Sequence, residues 1–198
     1  MIVARRTALA VFAAPVAAGL ARSPSLALTT DVIDDRSQPA PRASNGADWE
    51  LISDTVMGGV SGGTMRREVI DGRPAIRMQG DVRIENNGGF LQVALDLVPG
   101  GTSFDASRWR GIEIDVIGNG ESYNLHLRTS DVARPWQSYR QSFVAGREWR
   151  TLQLAFADFR PHRIDKALDV RTLRRIGVVA IGRAFHADIG IGRVGFYA

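Results

Sequence analysis

Chemistry in this chain would start from a few residues whose types and spacing match known reaction sites. Gly59-Val60-Ser61-Gly62-Gly63 matches the G-x-S-x-G elbow of serine hydrolases. That chemistry needs a helix directly behind the serine, to hold the hydroxyl exposed, and a histidine base within reach. Thr64 to Ile70 follow instead, a β-branched stretch running into a hairpin. His186 and Asp188 would complete a triad with Ser61, but residues two apart on a strand do not stack as base and orienter. A serine hydrolase is therefore the least favoured reading. Gly190-Ile191-Gly192-Arg193-Val194-Gly195 matches the dinucleotide fingerprint G-x-G-x-x-G, which works by opening a helix under a pyrophosphate. Phe196-Tyr197-Ala198 come next and make no helix, so a glycine-rich strand is expected.

Metal and thiol chemistry have less support. With no cysteine, disulfides and thiolate sites are excluded. The three histidines, His126, His162 and His186, form no H-E-x-x-H or other close pair. Asp34, Asp35 and Asp54 could donate oxygens to a structural calcium, although acids in turns more often act as caps and Asx-turns. No metal site and no cofactor are expected.

The denser signal is polar and aromatic. Asn124, His126 and Arg128 alternate with Tyr123, Leu125 and Leu127, so they share one face of a strand. Trp136, Tyr139 and Arg140 lie on the following loop and strand. Arginine and aromatic side chains on a concave sheet can stack on and hydrogen-bond a sugar or a peptide segment. The competing reading is a solvated face with ordinary cross-strand pairs. Both stay open at this point.

The elements that must position these residues are almost all strands. Trp49 to Ser53, Thr64 to Ile70, Pro74 to Gln79, Val82 to Glu85 and Phe90 to Val98 read as strands between turn signals, after a first strand over Asp31 to Arg36. Asp71-Gly72 predicts a type I′ hairpin. Ile112, Ile114 and Val116 alternate with Glu113 and Asp115, and Leu152, Leu154 and Phe156 repeat the period. Ile176 to Ile181 is nearly all apolar, as in a strand covered on both faces, and Asp188 to Tyr197 closes the set. Single helical turns are expected only at Asp105 to Trp109 and Asp169 to Leu173. About ten strands with so little helix point to an all-β, two-sheet jelly-roll sandwich.

The first residues read as an export signal. Arg5 and Arg6 precede an apolar stretch from Thr7 to Ala21, and Ser25-Leu26-Ala27 is a suitable cleavage triplet. Residues 1–27 are thus expected to be removed, leaving 28–198 as a single domain that is periplasmic or secreted and without a membrane span. The paired arginines suit the twin-arginine route, although the phenylalanine usual after the pair is absent. A mitochondrial transit peptide is the alternative, being likewise arginine-rich and acid-poor. Processing would remove three arginines and no acid, lowering the formal net charge from +4 to +1. That near-neutral balance, with Arg66-Arg67 and Arg174-Arg175 as isolated pairs, argues against nucleic-acid binding.

One block is more specific. Trp49, then Asp54-Thr55-Val56-Met57-Gly58-Gly59-Val60-Ser61, resembles the opening signature of the complex I intermediate-associated protein 30 family. Weaker matches follow in order: Asn87-Gly88-Gly89-Phe90, Gly118-Asn119-Gly120, Trp136 with Tyr139 and Phe143, Phe159-Arg160-Pro161, and Arg174-Arg175-Ile176-Gly177. The resemblance spans about residues 31–198 and implies a galactose-binding-like jelly roll. It also implies a non-catalytic assembly or chaperone role, with a respiratory or envelope complex as protein partner. In the signature, Val56 and Met57 are expected to plug the rim of the sandwich, and Asp54 to bond backbone amides or an arginine. The expected binding set is Asp54, Asn124, His126, Arg128, Trp136, Tyr139 and Arg140, with a cell-envelope carbohydrate-binding module as the alternative function.

Overall fold

The computed structural model describes residues 31–198, so the expected export signal lies outside the described residues. Within them the alternating segments become twelve strands: β1 (Val32–Asp34), β2 (Glu50–Ser53), β3 (Gly62–Ile70), β4 (Arg73–Val82), β5 (Phe90–Asp96) and β6 (Gly111–Gly118) in the first half. The second half adds β7 (Ser122–Thr129), β8 (Ser138–Val144), β9 (Arg150–Ala155), β10 (Arg160–His162), β11 (Leu173–Ile181) and β12 (Phe185–Tyr197). They form two six-stranded sheets whose pairings are all antiparallel. The first has the order β3-β4-β12-β6-β9 with β1 alongside β12, and the second the order β10-β8-β7-β11-β5-β2.

Period-two patterning explains why the sheets stack. Ile112, Ile114 and Val116 of β6 and Ile189 and Ile191 of β12 are buried on one side of the core. Leu125 and Leu127 of β7, Val178 of β11 and Leu91, Val93 and Leu95 of β5 meet them from the other. Burying this apolar area, at roughly 25 cal/mol per Å², is what holds two sheets face to face. The hairpin at Asp71-Gly72 has positive φ at both residues, 47° and 77°, as a type I′ turn requires.

Two expectations change. The first strand shortens, because Arg36 turns back with φ 66° and is buried. Pro74 to Gln79 and Val82 to Glu85 are not two strands; β4 runs through Gly80, and Glu85–Asn87 forms a 3₁₀ turn. A Cβ on Gly80 would lie 2.2 Å from the Gly62 carbonyl oxygen, so glycine here permits close strand pairing and does not break the strand. β10 is too short to show a period in the sequence. Gly190 to Gly195 lie inside β12, where a Cβ on Gly195 would sit 2.6 Å from the Asp31 carbonyl oxygen, so these glycines serve close backbone approach. Among the described residues no helix is long and apolar enough to cross a membrane.

Candidate binding groove

The outer face of the second sheet carries the polar residues that the core face cannot. Strand register stacks them in rows: Ile52, Gln92, Val179 and Asn124, then Gly177, His126 and Arg140, then Asp96, Arg175 and Arg128. Gly177 makes room for this arrangement, since a Cβ there would lie 2.4 Å from the Gln92 Nε2. Two loops raise walls over the rows. The 3₁₀ turn Asp54–Met57 after β2 supplies Val56 and Met57, and the β7–β8 loop supplies Pro135 and Trp136. Between them lies a groove of about 270 Å³, floored by residues that include His126, Arg128, Ser138, Arg140, Arg175 and Val179.

The floor is electropositive. Arg128 is half-buried, and its guanidinium reaches only carbonyls of the loop, Pro135 O at 3.3 Å and Arg134 O at 3.4 Å. Arg140 donates from Nε to Ser138 Oγ at 2.9 Å. Burial lowers the pKa of both, with Arg175 and Arg174 adding to the effect on Arg128, and Arg163 to that on Arg140. His126 is buried between them. Burial first, then Arg140, His162 and Arg128, push its pKa down to about 3, so the ring is neutral at ordinary pH. Its Nε2 is buried and has no hydrogen-bond partner.

The Val56-Met57 wall is held by a cage around Asp54. The carboxylate is fully buried and accepts the Ser61 N–H at 2.9 Å, the Ser61 hydroxyl at 2.5 Å, and the Gly89 and Phe90 N–H groups. Burial alone would raise its pKa, but the bonds from Ser61, Gly89 and Phe90 outweigh it and hold the acid below its usual value. The cage leaves no space: a Cβ on Gly59 would be 2.3 Å from the Asp54 Cγ, and one on Gly88 2.4 Å from Oδ2. The two sequence blocks Asp54 to Ser61 and Gly88 to Phe90 are therefore one structure.

Of the seven residues expected to bind, His126, Arg128, Trp136 and Arg140 line the groove. Asn124 is on the same face but outside the lining, accepting the Ser142 hydroxyl at 2.8 Å. Asp54 lies behind the wall. Tyr139 is turned the other way: paired with Leu127, it is fully buried in the core and donates to the Ala167 carbonyl at 3.2 Å. Val56 and Met57 do not plug a rim; they are 71% and 53% exposed, at the groove's mouth. Arg175, Gln92 and Val179 join the lining without having been singled out, although the alternation in β11 already placed Arg175, Gly177 and Val179 on one face.

The hydrolase triad is not assembled. Ser61 is buried with its hydroxyl toward Asp54 and accepting from the Arg83 N–H, a strand follows it, and His186 Nδ1 sits 2.8 Å from Asp81. Asp188 forms a two-pronged pair with Arg77. The acids considered for calcium are likewise engaged. Asp34 serves Arg36, Ser44 and Trp49, Asp35 caps Ser37, and among the described residues no cluster of three or more His, Asp or Glu side chains is placed to hold a metal.

With this geometry in hand, comparison with known proteins decides the family. Residues 39–188 match the model of complex I intermediate-associated protein 30. The chain belongs to that family. Comparison with curated proteins gives no match. Among solved structures, the family 11 carbohydrate-binding module of a cellulosomal cellulase of Clostridium thermocellum superposes with TM-score 0.66 at 12% identity, over 84% of this chain and 93% of the module. The same family 11 module in complex with a β-1,3-1,4-mixed-linked tetrasaccharide gives 0.66 at 13%, over 85% and 95%. A family 30 carbohydrate-binding module gives 0.58 at 15%, over 85% and 88%. At such identity these neighbours speak for the fold alone, a galactose-binding-like jelly-roll sandwich.

Proposed function

We propose that this member of the family is a non-enzymatic binding protein whose groove takes a segment of a protein partner, in the manner of an assembly or chaperone factor. One observation carries the reading. The stretch most specific to the family, Asp54 to Ser61, is built to hold Val56 and Met57 exposed over the groove, and large apolar side chains left in solvent mark contact surfaces. The family and the neighbouring modules are non-catalytic, and the groove holds no assembled nucleophile and base. We infer that the chain works after export, as residues 1–27 suggest, on a respiratory or envelope complex.

A photocrosslinking residue at Met57 or Trp136 in the full chain, followed by cell fractionation, tests both points. Adducts are expected from these positions and not from Val69, exposed on the other sheet, and in the envelope fraction. Adducts from Val69 alone would overturn the groove reading, and cytoplasmic adducts would overturn export. The second reading, glycan binding, has Trp136 in its favour: its indole is 43% exposed at the groove, ready to stack on a sugar ring. A glycan-array signal abolished by Trp136→Ala would replace the protein partner with a carbohydrate.

A further inference from the structure

The chemistry of the groove narrows the occupant. Its lining contains three arginines and no carboxylate. Arg175 is paired with Glu50 and Asp96 from outside the lining, whereas Arg128 and Arg140 meet no acid among the described residues. Arg128 and Arg140 are half-buried, and the charged groups acting on them are cations: Arg174 and Arg175 on the first, Arg163 on the second. A guanidinium partly removed from water without a counter-ion is costly, and the cost is recovered when an anion arrives. His126, 93% buried beneath the same floor, holds its Nε2 with no partner.

The cationic character has a direction. Arg128 and Arg175 also line a second hollow of about 310 Å³ that continues toward Arg174, Gly100 and Gly101. Asp96, the acid there, lies 3.3 Å from Arg175. One end of the run is therefore apolar, at Val56, Met57 and Trp136, and the other holds Arg128 and Arg174 beside an Arg175 already paired with Asp96 and Glu50. A neutral polyol needs donors and acceptors in comparable number, and the groove offers mostly donors. A carboxylate accepts only.

Resting on the reading of the groove as the binding site, we propose that it takes an extended acidic segment of a partner protein, with an apolar side chain against Met57 and Trp136 and carboxylates along Arg140 and Arg128. Extended chain repeats its side chains on alternate faces, which suits rows of contacts set by a sheet.

The test uses the full chain and a short fluorescent peptide alternating glutamate with leucine, beside its glutamine counterpart and a mixed-linked glucan tetrasaccharide. The glutamate peptide is expected to bind at least tenfold more tightly than the glutamine one. Arg128→Gln and Arg140→Gln, made separately and checked by thermal melting, should each weaken it about tenfold. Arg66→Gln on β3 of the other sheet should leave it unchanged, and Met57→Ser should weaken both peptides alike. Equal binding of the two peptides, or an Arg66→Gln loss as large as the others, overturns the acidic-segment proposal. Binding of the tetrasaccharide lost in Trp136→Ala, with no peptide binding, also overturns it but leaves the groove as the site. Peptide binding that Met57→Ser, Arg128→Gln and Arg140→Gln all leave untouched sinks the groove as well.

Discussion

His126 shows how a single side chain can record the polarity of the site around it. In the unfolded chain it titrates near its ordinary 6.5, whereas in the fold burial, Arg140, His162 and Arg128 hold it near 3. Between those values the unfolded state binds a proton that the folded state refuses, so this residue's contribution is complete above pH 6.5 and is lost as pH falls toward 3. The loss reaches on the order of 5 kcal/mol at the acid end, at about 1.4 kcal/mol per unit. His126→Gln should flatten that part of the stability–pH curve measured by urea unfolding, and an unchanged slope would mean the ring is solvated. The sequence carried this residue's face correctly, because Leu125 and Leu127 flank it and fix the alternation. The same arithmetic was there to exclude Tyr139: it is next to Arg140 on one strand, and neighbours point to opposite faces. What the sequence could not show was which arginines lack acids, since the register that sets Arg128 beside Arg175 is a property of paired strands.

At the scale of an element, the turn Asp54–Met57 is too short to be stable by itself and is held by one buried carboxylate. Adjacent glycines contribute in different ways. Gly58 caps the turn at φ 87° with open space around it, so Gly58→Ala costs only the left-handed backbone, about 1–2 kcal/mol. Gly59 faces the carboxylate, and Gly59→Ala must push Asp54 out of its amide cage. Charged hydrogen bonds are each worth about 1.5–3 kcal/mol, so Gly59→Ala and Asp54→Ala should both cost more than Gly58→Ala and should also loosen Val56 and Met57. Thermal melts paired with hydrogen exchange at Val56 and Met57 decide this; equal costs at 58 and 59 would deny the cage its role. The strands and the hairpin were legible because apolar period and turn chemistry are local. The wall was not, because Asp54 reaches Gly89 and Phe90 across 35 and 36 residues of chain, a contact that no local period encodes.

At the scale of the whole molecule, the two sheets are clamped at a place remote from the groove. Asp34 is fully buried and accepts the Trp49 indole N–H at 2.7 Å, the Arg36 N–H at 2.9 Å and both Ser44 donors, and it pairs with the Arg36 guanidinium. From the same guanidinium Nε reaches the carbonyls of Ile191 and Gly192, where β12 shifts register, and the group lies 4.8 Å from the Trp49 ring centroid. One buried cation thus ties the segment after β1, the residue that leads into β2, and a central strand of the opposite sheet. Burial outweighs the pull of Asp34 and lowers the Arg36 pKa to about 10, which still leaves it charged at neutral pH. Removing one partner of such a pair leaves an uncompensated charge, at a cost of about 3–5 kcal/mol. Exposed pairs such as Arg171 with Asp169 add little, because water and salt screen both charges. Urea unfolding of Arg36→Met should therefore show a loss several times that of Arg171→Met. Adding Asp34→Asn to Arg36→Met should cost less than the two separate losses predict, because the stranded charge is gone. Peptide binding, measured well below the melting transition, should stay as in the parent chain, since neither residue lines the groove. Equal losses for Arg36→Met and Arg171→Met would mean that apolar burial alone holds the sheets together at this end.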